Sequence, residues 1–254
     1  MPTYERLFLP VSLALVGLAF SLIVQPPWFW LVVAAVVAVV CIGTDSLVRA
    51  HPKHYLHDLS HSLLFWILPA LVALGAALFL RLFGGGLPVV GGLALAAVVL
   101  TLVMLAEYLS VDPREPSFAV ARLALNLATY LAAFSLFTAI YATKERSLYT
   151  ATTITLVSTL LALELYRSAE APPRRTWLYA LVTGLMVGEV TWGLNYWPIG
   201  GLAGGVILLL LFYGISGLVQ QYLFGRLTPR VVAEFGLVGA AGMLILANSN
   251  FWVR

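Results

Sequence analysis

Nine apolar runs, each bounded by proline, glycine or charge, decide what this chain can become. They fall at roughly 7–25, 28–44, 60–83, 87–108, 117–142, 147–166, 175–197, 200–224 and 230–250. A helix needs ~20 apolar residues to cross a bilayer core of ~30 Å. Barrel strands are about half that length and alternate in polarity, whereas these runs are continuous. The composition points the same way. At 61% hydrophobic and 10% charged, the chain could not cover its apolar surface in water, where a soluble domain is about 25% charged. The predicted fold is therefore all-α, a polytopic integral membrane bundle of about nine transmembrane helices. The count becomes eight if the Thr/Ser-rich fifth and sixth runs, or the ninth with Glu234, do not all form spans. The whole of 1–254 reads as one transmembrane domain with no soluble domain, and the lipid bilayer is its first partner.

Lysine and arginine set the expected orientation. With nine alternating spans, the N-terminal side holds Arg6, Arg49, Lys53, Arg114, Arg122, Arg167, Arg174, Arg175, Arg226 and Arg230. The other side holds Arg81, Lys144, Arg146 and Arg254. The N-terminus is thus expected in the cytoplasm and the C-terminus outside, in the cytoplasmic membrane. No small-residue cleavage site follows the first run, which instead ends in Val24-Gln25-Pro26-Pro27, so a retained first span is expected. A net charge of +3, spread along the chain, excludes nucleic acid as a partner. Cys41 is the single cysteine, so neither an intrachain disulfide nor a cysteine metal cage can form.

Four polar junctions share one grammar: His51-Pro52-Lys53, Asp112-Pro113-Arg114, Pro172-Pro173-Arg174 and Thr228-Pro229-Arg230, spaced by about 60 residues. The helices before them end in Asp45, Glu107-Tyr108, Glu164-Leu165-Tyr166 and Gln221-Tyr222. A fixed period of this kind fits four repeated helical hairpins closed by a ninth helix. Any string of similar hairpins gives the same spacing, since proline suits a first helical turn and basic residues belong on the cytoplasmic side.

Three groups of residues could carry chemistry. His54, His57, Asp58 and His61 would share one face of a helix, a donor set suited to zinc or another divalent metal. The same residues would also serve as the polar face of an interfacial helix or as a pH sensor. Glu189 lies deep in the seventh run, followed by Thr191, Trp192 and Asn195. An ionisable group at such depth is expected to face the bundle interior and find a partner there, which suits proton coupling, ligand binding or a plain interhelical hydrogen bond. Arg122 opens a polar stripe on the fifth run with Asn126, Thr129 and Tyr130, and the sixth answers with Thr152, Thr155, Thr159 and Glu164. With Glu107 and Tyr108 these could form a cytoplasm-facing pocket, or act as hydrogen-bonding glue between helices. The pairs Gly184/Gly188, Gly200/Gly204 and Gly201/Gly205 let helix backbones approach closely, so the seventh and eighth helices are expected to be a tightly packed core.

No lysine lies inside a run, and the chain has neither a phosphate-binding loop nor a G-x-S-x-G nucleophile motif. Three functions compete on these residues. The first is a small carrier or ligand-binding membrane protein using intramembrane acids. The second is a structural or assembly subunit, as a homo-oligomer or in a larger membrane complex. The third is a metal-dependent membrane enzyme built on the histidines.

Overall fold

The structure, a computed structural model, describes residues 3–51, 59–169 and 172–248. Nine α-helices and no strand form among these residues: α1 (Thr3–Ser21), α2 (Trp28–Arg49), α3 (Leu59–Leu80), α4 (Leu87–Leu109), α5 (Phe118–Ala142), α6 (Ser147–Tyr166), α7 (Pro173–Leu194), α8 (Gly201–Leu223) and α9 (Pro229–Asn248). Each apolar run becomes one helix, and the breaks fall where the chemistry demands. Gly84 leaves the 3-10 turn Arg81–Phe83 at φ +64°, and Gly85 and Gly86 also hold positive φ, a conformation that side chains resist. Pro173 and Pro229 start α7 and α9, where a missing N–H costs nothing.

Among the described residues, seven helices, α2 to α8, are long and apolar enough to cross a membrane. The described apolar part of α1, Arg6–Ser21, is shorter. Trp28, Trp30, Trp177, Trp192 and Trp197 are all exposed and lie at or near helix ends, as interfacial aromatic residues do.

The chain divides into two compact units, 1–132 and 133–254, with α5 running through the division. In the first unit, α1 packs on α2 and α4, α2 on α3 and α4, and α3 on α4, so a four-helix bundle closes on itself. Leu18, Leu47, Leu68, Leu100 and Met104 are completely buried there. In a bilayer, where lipid tails are as apolar as leucine, close packing and not transfer from water would hold such helices together. Gly43 shows how: a methyl group at its position would overlap the ring of Pro10 on α1.

In the second unit the main seam joins α6 to α7, and α8 packs on α6, α7 and α9. The paired glycines of α7 and α8 make the close approaches expected of them, each helix against a different neighbour. Gly184 and Gly188 of α7 lie on Thr159 and Thr155 of α6, while Gly201, Gly204 and Gly205 of α8 lie on Ala142, Tyr141 and Thr138 of α5. A glycine pair specifies a close approach but not the partner. The hydroxyls of Thr155 and Thr159 donate within their own helix, to the carbonyls of Ala151 and Thr155 one turn back. Three side-chain bonds cross between helices of this unit. Tyr166 pairs with Thr183 at 2.9 Å, Gln220 donates to the Leu165 carbonyl at 3.3 Å, and Tyr141 donates to the Leu194 carbonyl at 2.7 Å.

Candidate functional site

Charge in this protein gathers at helix ends, and in each unit one end buries part of it. In the first unit, α2 ends at Arg49 and α4 at Leu109, while α5 starts at Phe118 after a short link. Alternating helices bring these termini to one end. Glu107 is fully buried in the last turn of α4, and Arg122 sits in the second turn of α5 at 9% exposure. Asp112 in the link and His51 after α2 are each 8% exposed. The Asp112 carboxylate accepts the backbone N–H of Arg114 at 3.0 Å, an Asx-type turn that fixes the link. The His51 ring meets the edge of Tyr108 at 4.9 Å. Tyr108 in turn packs against Leu7, Val11, Leu47 and Met104, the apolar layer directly beneath the charged end. The result is a polar cap with both signs of charge, seated on a packed floor.

The second unit has a smaller counterpart. Glu164 in the last turn of α6 is 2% exposed, and its carboxylate accepts from Arg167 at 3.0 Å. Arg167 is the C-cap of α6, where a cation also opposes the negative end of the helix dipole.

The candidates from the sequence therefore divide. Glu107, Tyr108 and Arg122 come to one end of the first unit, with Asn126 half-buried one turn further along α5. Glu164 belongs to the second unit and has its own arginine. Glu189 corrects its expectation: it does not face the interior but is exposed. The packed face of α7 is carried by Thr176, Ala180, Thr183, Gly184, Val187, Gly188, Thr191 and Leu194. One residue past Gly188 turns the side chain by about 100°, and Glu189 joins Met186, Val190 and Trp192 on the outer face. Asn195 caps α7, half-buried, with its backbone N–H on the Thr191 carbonyl at 3.1 Å. Its side-chain nitrogen is buried with no hydrogen-bond partner among the described residues.

His54, His57 and Asp58 lie outside the described residues, and of His61 only the backbone, in the first turn of α3, is described. Among the described residues no three His, Cys, Asp or Glu side chains come close enough to hold a metal.

His51, Asp112 and Arg167 are the functional candidates that the sequence reading passes over. All three follow a helix end by one to three residues. A position just outside a span looks like solvent-exposed link in a sequence, and only the packing of neighbouring helix ends buries it.

No curated protein and no solved structure matches this chain. A family model covers residues 9–248, and the chain belongs to that family, described as a protein of unknown function (DUF5656).

Proposed function

We propose that this is a ligand-binding membrane protein of carrier type, with the charged cap of the first unit as its solute site. The burial of His51, Glu107, Asp112 and Arg122 at one end of an otherwise apolar bundle carries this reading. Ionisable groups inside membrane helices are costly and tend to persist where they bind or move a solute. Two carboxylates and a guanidinium at one place suit a small polar solute with charged groups of its own. The excess of arginine and lysine on this side makes it the cytoplasmic face.

Thermal unfolding of the detergent-purified protein, with panels of anionic, cationic and zwitterionic small solutes, tests this. A solute that binds the folded state stabilises it, by ~2.7 kcal/mol at one hundred times its Kd. At least one class is expected to raise the midpoint of the wild type and to lose that effect in Glu107→Gln and Arg122→Gln. If no class stabilises the wild type, or both variants respond as it does, the solute site is not there.

The outward position of Glu189 favours a second reading, a subunit of a larger membrane assembly. A carboxyl on a lipid-facing surface is costly, and a neighbouring chain that offers a donor removes the cost. Under this reading the protein extracted in mild detergent runs larger than one chain. Glu189→Leu then reduces it to a single chain, and Glu189→Gln, which keeps a hydrogen-bonding group, does not. A monomeric wild type by light scattering removes this reading.

A further inference from the structure

A groove of about 510 Å³ runs along the outside of the first unit between α1 and α2. Its volume lies in the range of small-ligand sites, ~300–1,000 Å³. Leu9, Leu13, Val39 and Ile42 supply apolar walls, and Arg6 and Ser46 stand together at one end. The two helices run antiparallel, with Arg6 opposite Ser46, whose carbonyl accepts from its guanidinium at 3.4 Å.

Its floor follows from sequence. Pro10 and Gly43 meet with no room for a side chain on Gly43, which draws the helices together in the middle of the groove. On either side of that contact the larger residues splay outward: Leu9, Leu13 and Ile42 are 65%, 51% and 69% exposed. From Arg6 to Leu13 the helix rises ~10 Å, about a third of a bilayer core. The groove is therefore apolar along its length and cationic at the mouth, where headgroups lie.

The charge at that mouth belongs to Arg6. Asp45 and Arg49 neutralise each other at 2.7 Å, and Arg6 makes no ion pair among the described residues. A guanidinium above an apolar channel of this depth is complementary to a phosphate that carries a hydrocarbon chain. We infer that the groove is a specific site for one anionic phospholipid, its phosphate on Arg6 and the upper part of one acyl chain along Leu9, Leu13, Val39 and Ile42. This site is separate from the charged cap and does not depend on the function proposed for it.

Native mass spectrometry of the detergent-purified chain tests the inference. Phosphatidylglycerol and phosphatidylcholine with the same acyl chains would be offered in turn. The wild type is expected to keep one phosphatidylglycerol with a roughly fivefold preference, the effect of one cation near an anionic headgroup. Arg6→Gln should abolish the preference while leaving chain binding. Ile42→Trp and Leu13→Trp, both at exposed positions lining the groove, should displace both lipids. Equal retention of the two lipids by the wild type overturns the inference. So does a preference that survives Arg6→Gln, or binding that survives both tryptophans. Displacement of the lipid by excess inorganic phosphate would show a free-anion site instead, and overturns it as well.

Discussion

Gly184→Ala is expected to destabilise the protein by about 1–3 kcal/mol, and Gly184→Leu by more, although both raise intrinsic helix propensity. Ordinarily a glycine inside a helix costs ~1 kcal/mol relative to alanine, so the sign must come from packing. A Cβ at Gly184 would lie 2.6 Å from the backbone carbonyl oxygen of Thr155 and 3.0 Å from the backbone nitrogen of Thr159. Those atoms are part of the α6 ladder and cannot swing aside as a side-chain tip can. The helices would have to separate along the main seam of the second unit, losing the dispersion contacts that hold membrane helices together. Gly214, in the middle of α8, supplies the internal comparison, because a Cβ there meets nothing within 4 Å. Gly214→Ala should be neutral or stabilising by up to ~1 kcal/mol. Unfolding by titration with sodium dodecyl sulfate, followed by circular dichroism, compares the two. Equal midpoints for Gly184→Ala and Gly214→Ala would show that the α6–α7 contact does not depend on a glycine.

The same pair of glycines shows how much a sequence of this kind discloses. Helix positions were legible to within about five residues, because each apolar run is bounded by a proline, glycine or charge. The largest misses are α1 (7–25 expected, Thr3–Ser21 found) and α2 (28–44 expected, Trp28–Arg49 found). For α4, the expectation of 87–108 meets Leu87–Leu109, and for α6 the expectation of 147–166 meets Ser147–Tyr166. Close approach was legible at Gly184 and Gly188 too, but the identity of the neighbour was not, since any apolar helix could accept them. The inward or outward position of Glu189 was hidden for a related reason. In a helix apolar on both faces, as one that meets lipid would be, the contrast that reveals the buried side of a soluble helix is missing. The small residues Gly184, Gly188 and Thr191 mark the packed face better than hydropathy does, and Glu189 is off that face. The lipid groove left no trace as a motif, because it arises from Pro10 and Gly43 on different helices.

Arg167→Met should cost about 3–5 kcal/mol, the usual penalty for leaving a buried charge behind. Glu164 is buried near the C-terminal end of α6, where the helix dipole also disfavours a negative charge. Arg167 counters both effects from 3.0 Å away. Deleting the cation alone is thus worse than deleting the pair. The double variant Glu164→Leu/Arg167→Met replaces two charges with apolar groups of similar bulk, a change that is often neutral in other proteins. Its loss of stability should be well below the sum of the two single changes, giving a coupling of at least ~2 kcal/mol. If the single changes simply add, the contact between the two side chains contributes nothing and burial of Glu164 needs another cause. The double variant also bears on function. Its charges lie in the second unit, whereas the proposed solute site lies in the first, so a folded double variant should keep the thermal response to solute that Glu107→Gln and Arg122→Gln lose. Loss of that response in all three would overturn the assignment of the solute site to the charged cap of the first unit.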